Sequence, residues 1–596
     1  MYRLSTLSPR FIAVVVIAVL MTAIGFLPLF GGPGYEHALA SGLIVPSAAA
    51  ILTSIELSRG DPREPLWCVG RGAANGLLLA VVAFATALIH GVFAGFCDLG
   101  GGAGGFVLTA GVGSILGGVW GAYVAERARS AKRRRLWCVL LSIAAPLLGI
   151  AVSVWRFYSS PMIFAFDPFV GFFSGTLYDT VIEPGLPLLS YRVGSIATLT
   201  FVFFAASLLE RDPNGKLALA PRQEGTLARA SLAAAALLAS LTITLYGPAL
   251  GHWQTPTTVT RDLGGFRSGA RCNVVYPDTL REEEVALLVK DCDEQLASVE
   301  KVLGARGPER VTAFFFRDAA DKKRLMGAGD TYIAKPWRKE VYLQMGSYPH
   351  PVLGHELAHV VAGSFGRGPF RIAGSLGGLW PNPGLIEGIA VAASPDEGEL
   401  TDATWAHAML DLEILPPMQR IFGFGFLGES SAKSYTLAGA FIRWLMDRSG
   451  ADKVRALYGG ASIVEATGET WDALDAAFRA DLAKVPLPPE AESYAKAKFE
   501  RPAIFGRRCP HIVDAMRGEA DHCRDSNQAG KAIVLYSEVL ARDPHDFSAL
   551  YGRALTEARY GDESHGVREL RRLAEDGGVS RVWRDRSEEA VADLAY

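Results

Sequence analysis

The sequence predicts a multi-span α-helical membrane domain followed by an α+β globular domain and a small α-helical, repeat-like domain. Three observations carry this. Half of the 596 residues are hydrophobic and only 20% are charged, with a mean hydropathy of +0.20, too apolar for an ordinary soluble chain and too charged for a purely membrane one. The long apolar runs are confined to the first half. Beyond residue 262 the pattern changes to short strand-like and helix-like segments. The expected boundaries are 1–251 for about seven transmembrane helices, 262–485 for the globular domain, 486–505 for a linker and 506–596 for the helical end. A net charge of -3 leaves no basic face for phosphates, so no nucleic-acid partner is expected. The lipid bilayer is the first partner that the composition demands.

Phe11–Phe30 is uninterrupted and apolar, long enough to cross the hydrocarbon core. Ala38-Leu39-Ala40 resembles a signal cleavage site, but the run is longer than a signal core and further spans follow directly, so it is read as an uncleaved helix. The other spans are expected near 39–57, 74–96, 105–125, 136–155, 193–209 and 230–250. Gly113, Gly117 and Gly121 give overlapping G-x-x-x-G steps, read as helix packing. The segment 156–192, with Asp167-Pro168-Phe169 and Tyr178-Asp179 among aromatics, suits an interfacial loop at headgroup depth. A re-entrant hairpin and a docking surface remain open for it.

Basic residues set the orientation. Arg127, Arg129 and Lys132–Arg135 follow the fourth span, Arg59, Arg63 and Arg71 the second, and Arg211, Lys216, Arg222 and Arg229 the sixth. These loops are expected in the cytoplasm, which puts everything after Gly251 across the membrane. For a Gram-negative bacterium this means an inner-membrane protein with a periplasmic globular part. Cys272, Cys292, Cys509 and Cys523 lie in that part, where disulfides can form. Three pairings are open, beside four free thiols. Cys272–Cys292 and Cys509–Cys523 are favoured because each pair is close in sequence.

In the globular domain, Asn273–Tyr276, Val311–Phe316 and Glu340–Leu343 read as strands and Arg281–Leu303 as a helix. They lead to an apolar helical stretch containing His355-Glu356-Leu357-Ala358-His359. Residues four apart share a helix face, so both imidazoles reach one ion, and Glu356 falls beside its open position as a general base. Downstream, Glu387 sits in the apolar Gly384-Leu385-Ile386-Glu387-Gly388-Ile389-Ala390. A carboxylate buried there needs a partner, and a metal supplies one. His355, His359 and Glu387 then form a His₂Glu set for a single Zn²⁺ with the fourth position open.

This pair of motifs resembles the gluzincins, zinc metallopeptidases with H-E-x-x-H and a distant Glu, in the peptidase-MA-like branch. The resemblance covers about 270–485 and implies a zincin-like metallopeptidase fold, peptide or protein substrates, and Glu356 as catalytic base. It departs from the thermolysin pattern, since Val391 stands where that pattern has an Asp, and leaves Asp396 and Asp411 as guesses for the supporting carboxylate. The helix Ser434–Leu445 is similar to the one after the zinc site in these families. Tyr435 on it is either a donor to the oxyanion or a half-buried structural ring. His407 is a further residue that can approach the metal, although a structural histidine is the commoner case. His350 is expected to be incidental.

Past the Pro-rich 485–489, Ala532, Tyr536 and Pro544 recur 34 residues on as Gly566, Leu570 and Gly578. This resembles the tetratricopeptide period and implies either a surface for a protein partner or a helical cap. The function expected overall is zinc-dependent peptide hydrolysis on the extracytoplasmic side. One rival is a non-catalytic membrane-tethered scaffold built on the same fold. Another is an intramembrane protease, against which the polar flanks Ser347–His350 and Ser364–Arg367 count, since the stretch between them is too short to span.

Overall fold

Backbone that crosses hydrocarbon must satisfy its hydrogen bonds internally, and the apolar runs of the first half all form helices. The structure is a computed structural model and describes residues 8–59, 61–174, 185–212, 215–219, 225–329, 331–394, 400–499, 502–507, 509–579 and 581–595. The chain divides into two compact units. The first takes in most of Met1–Thr258 together with Arg324–Ala328, and the second Val259–Lys323 and Gly329–Tyr596.

In the first unit, α1 (Pro9–Gly25), α2 (Tyr35–Ser58) and α3 (Pro65–Ala94) are followed by a fourth rod. It comprises α4 (Leu99–Phe106), a π-helical turn (Val107–Gly111) and α5 (Val112–Ala128). Then come α6 (Arg134–Ser159), the hairpin β1 (Phe164–Asp167) and β2 (Gly171–Ser174), α7 (Gly185–Ser207), the small pair β3 (Leu209–Arg211) and β4 (Leu217–Leu219), and α8 (Thr226–Leu245). Among the described residues six of these rods, all but α1, are long and apolar enough to cross a membrane, the pattern of a multi-pass membrane protein. The first predicted span is shorter as a helix than as an apolar run. Its 17 residues end at Gly25, because Pro28 follows and Leu29 turns with a positive φ of 72°.

The glycine ladder packs as its spacing suggests. A Cβ on Gly117 would lie 2.2 Å from the Pro46 carbonyl and one on Gly121 2.4 Å from that of Ala50, so α5 meets α2 backbone to backbone. Gly113 does the same for the hairpin tip, 1.8 Å from the Phe169 carbonyl. The alternatives left open for 156–192 thus resolve in its described part as a buried β-hairpin among helices, while Tyr178 and Asp179 lie outside the described residues. Irregular backbone inside an apolar unit needs polar partners. Asp167 Oδ1 accepts from the Phe169 and Val170 amides at 2.7 and 2.8 Å. The buried Arg192 donates to the Leu108 and Thr109 carbonyls at the π turn and to the Pro168 carbonyl at the tip.

The helix α9 (Pro256–Leu263) runs into the second unit, which builds a five-stranded sheet. The strands are β5 (Gly264–Ser268), β6 (Cys272–Pro277), β7 (Val311–Phe316), β8 (Ile333–Lys335) and β9 (Glu340–Gln344), in the order β5-β6-β7-β9-β8. β6, β7 and β9 run parallel, and β5 and β8 are antiparallel edges. Between β6 and β7 lies α10 (Glu282–Leu303), and between β7 and β8 lies α11 (Ala319–Met326). Cys272 and Cys292 form a disulfide that ties β6 to α10. After the sheet come α12 (Leu353–Ala362), the short hairpin β10 (Gly374–Ser375) and β11 (Trp380–Pro381), and α13 (Pro383–Ala393). The helices α14 (Asp402–Asp411), α15 (Met418–Ile421), α16 (Ser431–Ser449), α17 (Ala451–Tyr458), α18 (Ile463–Thr467) and α19 (Trp471–Leu482) follow. One core runs from Val274, Phe315 and Leu343 in the sheet through Leu357 and Ile389 to Phe441 and Phe478.

Two expectations for the C-terminal part need correction. The stretch 486–505 is not a free linker: α20 (Ala491–Phe499) buries Ala491, Ala495 and Phe499 in that same core, because their spacing of four makes an apolar stripe. The Cys509–Cys523 bridge is absent. Cys509 caps the start of α21 (Pro510–Asp525) and Cys523, a free buried thiol, lies near its end. A helix rising 1.5 Å per residue holds them roughly 20 Å apart, far beyond disulfide reach. Around α21, Arg507 pairs with Asp514 at 2.7 Å and Arg517 with Asp546 at 2.8 Å. The helices α22 (Ala529–Arg542), α23 (Phe547–Tyr560), α24 (Glu563–Glu575) and α25 (Arg581–Leu594) stack in sequence. Small residues sit at their crossings. A Cβ on Gly566 would meet Ala558 N at 2.3 Å.

Candidate metal centre

The approach to α12 is clamped before the helix starts. The His350 amide donates to Asp291 Oδ2 at 2.8 Å, and Gln295 Nε2 donates to the His350 carbonyl at 3.0 Å. Both partners come from α10. The His350 ring accepts from the Val352 amide through Nδ1 at 3.2 Å, so its proton lies on Nε2, 3.0 Å from the Gln344 carbonyl of β9. The ring is thereby held neutral, and burial pushes its pKa below the ordinary 6.5. His350 is not part of the candidate metal cluster; its role is structural, fixing where α12 begins. A hint was present in the sequence, since Asp291 and Gln295 are polar residues beside Leu288, Cys292 and Leu296 on the buried stripe of α10.

Along α12 nearly every side chain is buried, and His355 and His359 face the same way from successive turns. The opposite wall is α13. Asn382 caps it, with Oδ1 accepting from Leu385 N at 3.1 Å, and its Nδ2 donates to the Phe422 carbonyl at 2.7 Å. Pro383 at the first helical position needs no amide partner. Gly388 lets α13 lie close on α16, since a Cβ there would stand 2.8 Å from the Ala438 carbonyl. Val391, in the place of the expected carboxylate, packs on Gly439, where a Cβ would come within 2.2 Å of its Cγ1.

These supports bring Glu387 to both imidazoles. Its Oε2 lies 3.4 Å from His355 Nε2 and 3.5 Å from His359 Nε2. The rings stand at 82° with centroids 4.9 Å apart, and one donor atom from each residue falls within 4.8 Å of the others. Three ligands bound tetrahedrally at roughly 2.0–2.1 Å are separated by roughly 3.3 Å, so the cluster fits a small ion and its donor set suits Zn²⁺. Burial alone would raise the Glu387 pKa, but the His359 and His355 rings outweigh it and hold the carboxyl well below its usual range. Glu356, 4% exposed, is pushed up to about 7 by burial. His355 and Lys322 oppose that rise and Glu387 adds to it. A cation among these groups favours the ionised form of both carboxyls.

Tyr435 on α16 faces the site, its ring 6.4 Å from that of His355 and inclined by 24°. His407 does not join the cluster. Its Nδ1 contacts the Val485 carbonyl at 2.8 Å and its Nε2 lies 3.5 Å from Asp411, so it braces α14 against the end of α19. Asp411 contacts His407 rather than the ligands, and Asp396 lies outside the described residues. Fold and site together define a multi-pass helical membrane protein whose second unit holds a three-residue cluster fit for a metal ion. The chain matches no protein-family model and no curated protein.

Proposed function

We propose that this protein is a multi-pass membrane zinc metallopeptidase of the gluzincin kind, with its catalytic unit outside the cytoplasm. The observation that carries this reading is the meeting of His355, His359 and Glu387 with Glu356 on the same helix. When bound, Zn²⁺ supplies Lewis acidity toward a peptide carbonyl and toward water. Glu356 takes the proton from the attacking water and returns it to the leaving amine. The Tyr435 hydroxyl donates to the oxygen that gains charge. The buried walls of α12 keep bulk water from Glu356. At ten residues, roughly 15 Å, α12 is too short to span a bilayer, which favours a site outside it.

The orientation rests on the basic loops, and contacts within the first unit support it. Arg211 after α7 donates to Glu126 of α5 and to the Arg63 carbonyl before α3, while Arg134 reaches the Ser58 carbonyl at the end of α2. Three basic loops thus gather at one end. Counting forward from Arg127–Arg135 through α6, α7 and α8 puts Gly251 on the other side, whether or not α1 crosses. Arg10 lies 3.4 Å from Glu56 at that basic end, and the Thr22 carbonyl contacts His90 near the end of α3. This supports α1 as the seventh span. In a Gram-negative cell the second unit is then periplasmic, and the stacked C-terminal helices offer a tetratricopeptide-like surface to a protein partner.

The test is metal content and peptide hydrolysis by the purified full chain. Wild type and Glu356→Gln are both expected to hold one zinc, with hydrolysis reduced about 10²–10⁴-fold in the variant. Absence of zinc, or unchanged hydrolysis, overturns the reading. Retained zinc with no hydrolysis in wild type favours the scaffold.

A further inference from the structure

Between the two metal-bearing helices the chain makes a small excursion with an unusual tip. The strands β10 and β11 close on themselves, and the Asn382 amide donates to the Ala373 carbonyl at the base. At the turn, Leu376 is 80% exposed, Leu379 62% and Trp380 58%. Leu376 also adopts a positive φ of 50°, a conformation that costs a branched side chain energy. Beside it stands Phe424, 51% exposed, with its ring centroid 4.8 Å from that of Trp380. Four large apolar side chains are thus exposed on this stretch, and none of them belongs to the core formed by the described residues.

What covers the patch follows from its charge and its tether. From Ser364 to Ser394 the only acidic residue is Glu387, which is turned into the metal cluster. Arg367 and Arg371 precede the excursion, and both are exposed. A Trp among leucines with arginines at the margin is the composition of a membrane interface, where the ring sits at headgroup depth and the cations meet anionic lipid. Only Tyr246–Thr258 separates the last membrane-spanning helix from this unit, a short tether to a bilayer.

We propose that the tip formed by Leu376, Leu379, Trp380 and Phe424 inserts into the outer leaflet as an interfacial anchor. It leads directly into α13 and, through the Asn382–Phe422 hydrogen bond, is joined to the segment that precedes α16. The anchor therefore holds the mouth of the metal cluster at the membrane surface. The anchor stands without the peptidase reading. One consequence rests on that reading: the substrates are polypeptides presented close to the bilayer.

The experiment uses the full chain in nanodiscs of phosphatidylcholine, alone or mixed with phosphatidylglycerol. Leu379→Cys carries an environment-sensitive nitrobenzoxadiazole label, and the unsubstituted protein corrects for reaction at Cys68, Cys138 and Cys523, all buried. Val464→Cys, at an exposed position on α18, is the control. The expected result is a blue-shifted Leu379 label that loses most of its fluorescence when doxyl-labelled lipid is included, with the Val464 label unaffected. Equal quenching at the two positions overturns the anchor. A blue shift without quenching by lipid also overturns it, because the tip is then covered by protein. The readout needs neither zinc nor turnover and is repeated in Glu356→Gln, so failure of the anchor and failure of the peptidase reading are told apart.

Discussion

His350 shows how much one side chain can decide. Its ring is neutral because a backbone amide occupies Nδ1 and a backbone carbonyl occupies the proton on Nε2. The unfolded chain still protonates this histidine below its ordinary pKa of 6.5. More protons bind to the unfolded state there, so the stability that His350 contributes is complete above 6.5 and declines as pH falls through that value. His350→Gln is expected to cost about 1–3 kcal/mol and to flatten this decline. Thermal unfolding of the full chain at about pH 7.5 and about pH 5 reads it. An equal fall in wild type and variant would sink the claim. The contrast with His355 and His359 is instructive, because their shared helix face was legible from spacing alone. The role of His350 depends on Asp291, Gln295 and Gln344, which approach it from other elements.

At the level of elements, the site is a matter of two helices and what lets them approach. α12 was readable as a helix with two imidazoles on one face, since a period of 3.6 fixes which residues are neighbours. α13 was readable as an apolar helix with one misplaced carboxylate. Their meeting depends on the close contact of α13 with α16 at Gly388. Gly388→Val is expected to destabilise the protein by about 1–3 kcal/mol through overpacking and to swing Glu387 away from the imidazoles. Zinc content should then fall while the helical circular dichroism persists. A variant with full zinc and an unchanged melting temperature would show that the contact is dispensable. α20 marks the limit in the other direction. Its flanking prolines signalled a linker, and only the core it meets explains why Ala491, Ala495 and Phe499 are spaced as a stripe.

For the molecule as a whole, the question is which side of the membrane each unit occupies. Alkaline phosphatase, which is active only outside the cytoplasm, is expected to be active when fused after Gly251 and inactive when fused after Lys216. The reverse pattern would place the metal cluster in the cytoplasm and remove the extracytoplasmic peptidase reading. The buried hairpin Phe164–Ser174 bears on the same unit. It fills the space between helices, and Arg192 donates to the Pro168 carbonyl at its tip and to the Thr109 carbonyl of the π turn, an arrangement that polar periodicity along the chain does not reveal.

The sequence by itself determined what depends on neighbours along the chain. It specified seven apolar runs as helices, the face shared by His355 and His359, the glycine ladder, and the side on which basic loops collect. Each of these follows from helix geometry or from the cost of moving charge into hydrocarbon. Only the tertiary structure decided what depends on distant contacts: that Glu387 reaches both imidazoles, that His350 is a clamp and His407 a brace, that Cys509 and Cys523 lie at opposite ends of one helix, and that the hairpin is buried. The physical reason is that a buried polar group is paid for by partners far away in sequence, and local pattern carries no record of them.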